Sequence, residues 1–255
     1  MEKKTAFITG AGKVTGKHIA IKFAEAGYDI GITYVNSEDG AKKAASEIER
    51  LGVKVKIYKS DTRDIQRIRG IFEDFASSFG RFDVLVNNAG ITRFSHFLEI
   101  SEELYDDVID TNLKGTFFTA QSAARFMKEQ KNGGVIINIS SVHAEGTWPG
   151  DTMYATTKAG INRMTEAMAL DLAEDKIRVV SVAPGYIRMS EQTNEPDEKT
   201  LEVIRRLPLH RFAEPGEIGD ICVFLASDKA GYITGTTIYA EGGALLPVIT
   251  DNKYT

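Results

Sequence analysis

The sequence predicts a single α/β domain over residues 1–255, a doubly wound parallel sheet of seven strands in the order 3-2-1-4-5-6-7. Three observations predict it. Short apolar runs alternate with helix-like stretches along the chain, the pattern of βαβ units with right-handed crossovers. The first run passes into a glycine-rich turn and then a helix, and the fourth ends in Asn87-Asn88-Ala89-Gly90. In a doubly wound sheet strands one and four are neighbours at the switch point, so both segments meet at the crevice where ligands bind.

Residues 5–9 (TAFIT) form the first strand, followed by Gly10-Ala11-Gly12-Lys13-Val14-Thr15-Gly16 and a helix over 17–27. Strand, glycine turn and helix together make a phosphate site: glycines let backbone N–H groups approach a pyrophosphate, and the helix N-terminus favours its charge. Strands two and three are residues 28–35 and 53–59, separated by a helix whose many charges mark a solvated face. A helix over 65–79 leads to the fourth strand, 82–87. The next helix, 102–129, carries Asn112 with Gly115 three positions on, which predicts a local distortion or a water site. Strand five is 135–139, strand six 177–183, and a helix over 215–226 precedes strand seven, 236–240. Residues 186–210 are polar, contain Pro196 and Pro208, and start without strand or helix pattern. They are too long for a plain connector and predict a lid over the crevice.

Composition narrows the function. The chain has 255 residues, 42% of them hydrophobic and 26% charged, which suits one soluble globular domain. A net charge of −5 and the lack of a basic run argue against nucleic acid. The single cysteine, Cys222, makes no intrachain disulfide, and MEKKTAFITG enters a strand with no signal-peptide core. No stretch is apolar enough to span a bilayer. A cytoplasmic protein is expected, without membrane or nucleic-acid partners. No Cys/His/Asp cluster has metal-ligand spacing, so no metal is expected.

The chemistry centres on Ser141, Tyr154 and Lys158. The residues after Tyr154 read as a helix, and positions four apart share a helical face. An ammonium roughly 5 Å from a phenol, at an effective dielectric of about 20, contributes ~3 kcal/mol, or roughly two pK units. Tyr154 then exchanges protons nearer neutral pH, while burial opposes the shift. Ser141, at the end of the apolar run VIINIS, is placed to hydrogen-bond the same reacting oxygen. His143 and Trp148 lie between them and either wall a substrate pocket or pack beneath a loop.

Thr9-Gly10 through Gly16, Asn87-Asn88-Ala89-Gly90, Asn112, Ser141, Tyr154 with Lys158, and Pro184-Gly185 occur in this order. As a set they resemble the short-chain dehydrogenase/reductase family, over roughly residues 4–243. NNAGITR and AEPGEIGDICVFLASDKAGYITG are similar to 3-oxoacyl-carrier-protein reductases, whereas INISSVH, IDTNLKG and EGGALLP are closer to bacterial glucose 1-dehydrogenases. The resemblance implies a Rossmann fold and hydride transfer between a nicotinamide cofactor and a secondary alcohol or ketone. It makes Tyr154 the acid or base, and gives Lys158 the ribose hydroxyls and the tuning of Tyr154. It has Ser141 orient the substrate oxygen and Asn112 hold a proton-relaying water. It further implies that Gly10, Gly12, Lys13, Val14, Thr15 and Gly16 hold the phosphates and that Asp61 and Thr62 meet the adenine. Asn87, Ala89 and Gly90 would line the ribose, Pro184, Gly185 and Ile187 would flank the nicotinamide, and Tyr186 would join His143 and Trp148 at the substrate. A homotetramer is implied, built on the helices carrying Asn112 and Tyr154.

Two positions depart from the family pattern. Val14 and Thr15 replace a glycine and an aliphatic residue, and a β-branched residue resists positive φ. A remodelled turn and weaker cofactor binding are expected. Met189 stands where a threonine is usual, so a hydroxyl contact is lost or passes to Ser190. The end of strand two carries Tyr34, Asn36 and Ser37 but no acid before Glu38, and Lys13 lies in the glycine turn. Both features favour NADP(H), with NAD(H) left open. The substrate is a sugar or polyol, a 3-oxoacyl compound or another small carbonyl. The polar lid residues Arg188, Glu191, Gln192 and Asn194 weigh against a purely apolar one. The alternative is a nucleotide-binding scaffold or sensor with little turnover, motivated by Val14.

Overall fold

Alternation of strand and helix runs through the whole of the structure, a computed structural model that describes residues 3–189 and 196–246. The strands are β1 (Thr5–Ile8), β2 (Asp29–Tyr34), β3 (Val55–Lys59), β4 (Val84–Asn87), β5 (Gly134–Ile139), β6 (Ile177–Pro184) and β7 (Thr237–Ala240). All neighbours pair in parallel, in the expected order β3-β2-β1-β4-β5-β6-β7. β1 therefore lies between β2 and β4, with Ala6 opposite both Ile30 and Val84.

Period-two alternation along the strands feeds two cores, because successive side chains point to opposite faces. Ala6, Ile8, Val84, Val86, Val180 and Val182 face one way. They pack against α1 (Val14–Glu25), α2 (Glu38–Arg50) and α8 (Pro215–Ala226). Phe7, Leu85, Ile136 and Val179 face the other way, against α3 (Ile65–Phe79), α5 (Gly115–Glu129) and α6 (Thr152–Leu172). Burial on both faces is why the strands read as continuous apolar runs.

Three elements differ from expectation. α1 starts at Val14 rather than Lys17, with Lys13 as its extended N-cap. The helix expected over 102–129 divides into α4 (Glu102–Ile109), one π-helical turn (Asp110–Lys114) and α5. The distortion expected at Asn112 is this turn, a feature often found at functional sites. Within the expected lid, α7 (Glu198–Arg206) is a helix that the sequence reading lacked. It buries no residue; Asp197 caps it by accepting from Thr200 N–H, and Arg206 pairs with Glu202 one turn away. Its apolar side, Leu201, Val203 and Ile204, is only half-buried and spans little more than one turn, too short a run to read as a helix. Ser190, Glu191, Gln192 and Asn194, and the tail from residue 247, lie outside the described residues. Among the described residues no helix is long and apolar enough to cross a membrane.

Gly31, in the middle of β2, makes room for the aromatic core. A Cβ there would lie 2.5 Å from Phe7 Cδ2 and 2.7 Å from Phe75 Cε2. Both rings are fully buried, and their centroids are 5.1 Å apart in an edge-to-face contact. Gly31→Ala is expected to lower stability by about 1–3 kcal/mol through overpacking, read by urea unfolding; an unchanged midpoint would contradict it.

Candidate active site

The carboxyl ends of β1 and β4 are joined through one side chain. Thr9 Oγ1 accepts the N–H groups of Asn88 and Ala89, each at 3.0 Å, and Asn88 Nδ2 donates back to the Thr9 and Gly10 carbonyls at 3.0 and 3.2 Å. Gly10 is held at φ +67°, and a Cβ there would lie 2.9 Å from Ala89 Cα. Both the left-handed conformation and the close approach require glycine.

This junction floors a cleft of about 490 Å3 lined by Gly10, Gly12, Lys13, Val14, Thr15, Gly16, Asn36, Ser37, Asp61, Thr62, Ala89 and Gly90. The first turn of α1 opens into it, so its unpaired N–H groups and the positive end of the helix dipole face the cleft. Glycine cradle and helix N-terminus fit the phosphates of a dinucleotide. Val14 avoids the strain expected of it: it is the first residue of α1 and is absent from the positive-φ residues. Its side chain is on the cleft wall, as is that of Met189.

The cleft also has residues that the sequence reading did not single out. Arg63 lines it and holds Asp61 through Nη2 at 2.6 Å and Nε at 3.1 Å, keeping that carboxyl below its ordinary range. Asn87, expected at the ribose, lies beneath the floor instead. It is 4% exposed and donates to Asn138 Oδ1 at 3.0 Å, while Asn138 Nδ2 donates to Thr165 Oγ1 at 2.9 Å. This chain of amides satisfies polar groups that burial would otherwise penalise.

Beyond Gly90 three elements converge. A Cβ on Gly90 would lie 3.2 Å from Asn112 Oδ1 and 3.9 Å from Lys158 Nζ. The π-helical turn aims the Asn112 amide at the loop after β4: Oδ1 accepts Ile91 N–H at 2.8 Å and Nδ2 donates to Ile91 O at 2.9 Å. Asn112 Nδ2 also reaches Thr157 Oγ1 at 3.3 Å, which donates to the Tyr154 carbonyl at 2.7 Å. Lys158 Nζ donates to Ile139 O at 2.8 Å, at the end of β5, and lies 5.5 Å from the Tyr154 ring centroid. Burial pushes the Lys158 ammonium below its ordinary value of 10.5, and the charge of Tyr154 opposes that shift.

Ser141 follows β5 and accepts the His143 N–H at 3.3 Å, heading the short turn Val142–Ala144. The His143 ring packs between Trp148 and Tyr154, at centroid distances of 4.1 and 5.2 Å, so both expected substrate residues stand beside Tyr154. Phe94 completes this group at 5.8 Å from His143. No sequence signal marked Phe94, because loop residues carry no periodicity. Tyr186 does not join them: its ring stacks on Phe212 at 5.4 Å and lines a separate cavity beside β7. Pro184 ends β6, Gly185 N–H donates to Ala240 O at 3.0 Å, and Ile187 bridges Ala213. These three lie outside the cleft lining.

A buried lysine is a liability for folding. Its charge cost is present in full below its folded-state pKa and is relieved as pH rises from there towards 10.5, because the unfolded chain then binds more protons. Lys158→Met is therefore expected to raise stability at neutral pH by ~1 kcal/mol, with the gap to wild type narrowing as pH rises. Urea unfolding at several pH values checks this, and a destabilised variant at neutral pH would contradict it.

Comparison with known proteins agrees with this geometry. A family model described as enoyl-(acyl carrier protein) reductase matches residues 10–244. The 3-oxoacyl-(acyl-carrier-protein) reductase FabG of Staphylococcus aureus is 41% identical over 241 residues, 94% of this chain and 97% of its own length. The FabG of Thermotoga maritima is 39% identical over 96% of this chain and 99% of its own. Among solved structures, the acetoin dehydrogenase YohF from Salmonella typhimurium superimposes with a TM-score of 0.90 at 33% identity, covering 98% of this chain and 99% of that one. With the strand order, the glycine cradle and the Tyr154–Lys158 pair already in place, these likenesses leave one conclusion: the chain belongs to the short-chain dehydrogenase/reductase family, oxidoreductases that exchange hydride between a nicotinamide cofactor and alcohol or carbonyl groups.

Proposed function

We propose that the protein interconverts small ketones and secondary alcohols with NADP(H) preferred over NAD(H), and that Tyr154 exchanges the proton at the substrate oxygen. The observation that carries this reading is Lys158, a buried amine beside Tyr154 whose burial has no structural benefit in proportion to its cost. The phenol beside it is the group placed to exchange a proton with the substrate oxygen. Ser141 Oγ orients the substrate oxygen. Asn112 fixes the loop that carries Gly90 and Ile91, and a water held near it would pass protons to solvent.

For the cofactor, the N–H groups around Gly10, Gly12, Val14, Thr15 and Gly16 would hold the pyrophosphate. Asp61 and Thr62 would meet the adenine, Ala89 and Gly90 the ribose, and Pro184, Gly185 and Ile187 the nicotinamide face. When bound, it supplies or accepts the hydride. Preference for the 2′-phosphate is supported by Lys13, which lines the cleft together with Asn36 and Ser37. The first acid after β2, Glu38, pairs with Lys42 at 2.7 Å and is not among the residues that line the cleft.

Residues 186–210 act as the substrate lid in this reading, and the protein works in the cytoplasm on a small molecule. We read the assembly as a homotetramer on the face of α4, α5 and α6, supported by the exposed Tyr105, Phe117 and Leu170. A sedimentation-equilibrium mass of one chain would contradict the assembly.

Two measurements test the function. Fluorescence titration is expected to give tighter binding of NADPH than of NADH; the reverse order contradicts the 2′-phosphate reading alone. Tyr154→Phe is expected to lower kcat by about 10^2–10^4-fold, the scale of lost general acid–base catalysis, with cofactor affinity retained. Unchanged turnover in that variant would contradict the assignment.

A further inference from the structure

Around Ser141 and Tyr154 the chain builds a partly exposed aromatic cluster with one polar edge. His143 supplies that edge, its ring in contact with Trp148, Tyr154 and Phe94. Its Nδ1 is 2.8 Å from Asp151 Oδ2, and the same oxygen accepts the Trp148 N–H at 2.9 Å. Asp151 stands at the N-cap of α6, where an aspartate ordinarily turns its side chain onto the first helical N–H groups. Here the side chain makes no capping bond. The carboxylate, 4% exposed, is given to the imidazole and the Trp148 backbone instead. A helix that forgoes its cap in favour of a histidine beside the reacting phenol is built to orient that histidine. A carboxylate only accepts, so Nδ1 carries the hydrogen, and in that tautomer Nε2 is the acceptor. Nε2 makes no hydrogen bond among the described residues.

We propose that His143 is a specificity-determining residue, that Asp151 is the positioning residue that sets its tautomer, and that together they select ketones carrying a hydroxyl on the carbon next to the carbonyl. This rests on Tyr154 acting at the carbonyl oxygen. The neighbouring hydroxyl donates to Nε2 while the rings of Phe94 and Trp148 cover the carbon skeleton. A ketone without that hydroxyl forgoes the bond to Nε2 and keeps only the ring contacts.

The test compares 3-hydroxybutan-2-one with butan-2-one in steady-state reduction, with saturating NADPH or NADH, for the wild type and three variants. The wild type is expected to favour the hydroxyketone by about five- to tenfold in kcat/KM, mainly through KM. Asp151→Ala and His143→Phe bring the ratio to within about threefold of one. Asp151→Asn keeps most of it, because its amide oxygen still accepts from both the imidazole and Trp148. His143→Phe retains a ring against Trp148 and Tyr154, so it decides the matter if Asp151→Ala does not fold. Equal reduction of both ketones by the wild type, or a preference that survives in His143→Phe, overturns the proposal and leaves the ketone–alcohol reading standing. Turnover of neither ketone, in protein that binds cofactor, overturns both.

Discussion

The hydroxyl of Thr9 is the point on which the site depends. A parallel sheet brings all strand ends to one edge, but the strand order alone leaves the loops beyond them free to separate. Thr9 Oγ1 takes two N–H groups from the loop after β4, and Asn88 returns two bonds to the loop after β1. Four bonds between two loops make the glycine turn and the segment 88–90 a single rigid wall. Gly10 completes the closure because a side chain there would collide with Ala89. The cleft is therefore set by backbone approach, and its lining is mostly main chain and small residues.

A second lock places Tyr154 and Lys158 against that wall. Asn112 binds Ile91 through both polar atoms of its amide and touches Thr157, which binds the Tyr154 carbonyl. Lys158 reaches the other way to the end of β5. α6 is thus tied at adjacent turns to the loop after β4 and to β5. Only a helix distorted at Asp110–Lys114 aims Asn112 correctly, and the π-helical turn supplies that rotation. The placement of these side chains is carried by hydrogen bonds of helices and strand ends, whereas the two apolar cores on either side hold the layers together.

Buried polarity divides into two kinds. Asn87, Asn138 and Thr165 pair with one another under the cleft and satisfy the demand that buried polar groups find partners. Lys158 has a carbonyl and a phenol for company and no carboxylate among its contacts. Asp151 is a carboxylate spent on a histidine rather than on its own helix. The first kind supports the fold; the second holds groups in states that only the chemistry of the cleft exploits.

The sequence by itself determined the layers and the crevice. Apolar runs at βα spacing, each buried on two faces, point to seven strands of a parallel sheet, and in the doubly wound order 3-2-1-4-5-6-7 the glycine turn and Asn87-Asn88-Ala89-Gly90 fall where strands one and four meet. It also determined the Tyr154–Lys158 pair, since a four-residue step on a helix needs no tertiary information. Tertiary structure alone decided what these groups touch. Asn87 turned under the floor, Arg63 came to Asp61, Tyr186 left the substrate side for Phe212, and Phe94 arrived from a distant loop. Periodicity reports which face a side chain takes, and it is silent about long-range hydrogen bonds and ring contacts between loops. The helix α7 escaped for a different reason: its nine residues carry only Leu201, Val203 and Ile204 as an apolar side, a run too short to stand out from the polar segment around it. The pairing of His143 with Asp151 likewise joins the turn after β5 to the start of α6, a meeting that follows from packing two elements together rather than from the pattern of either.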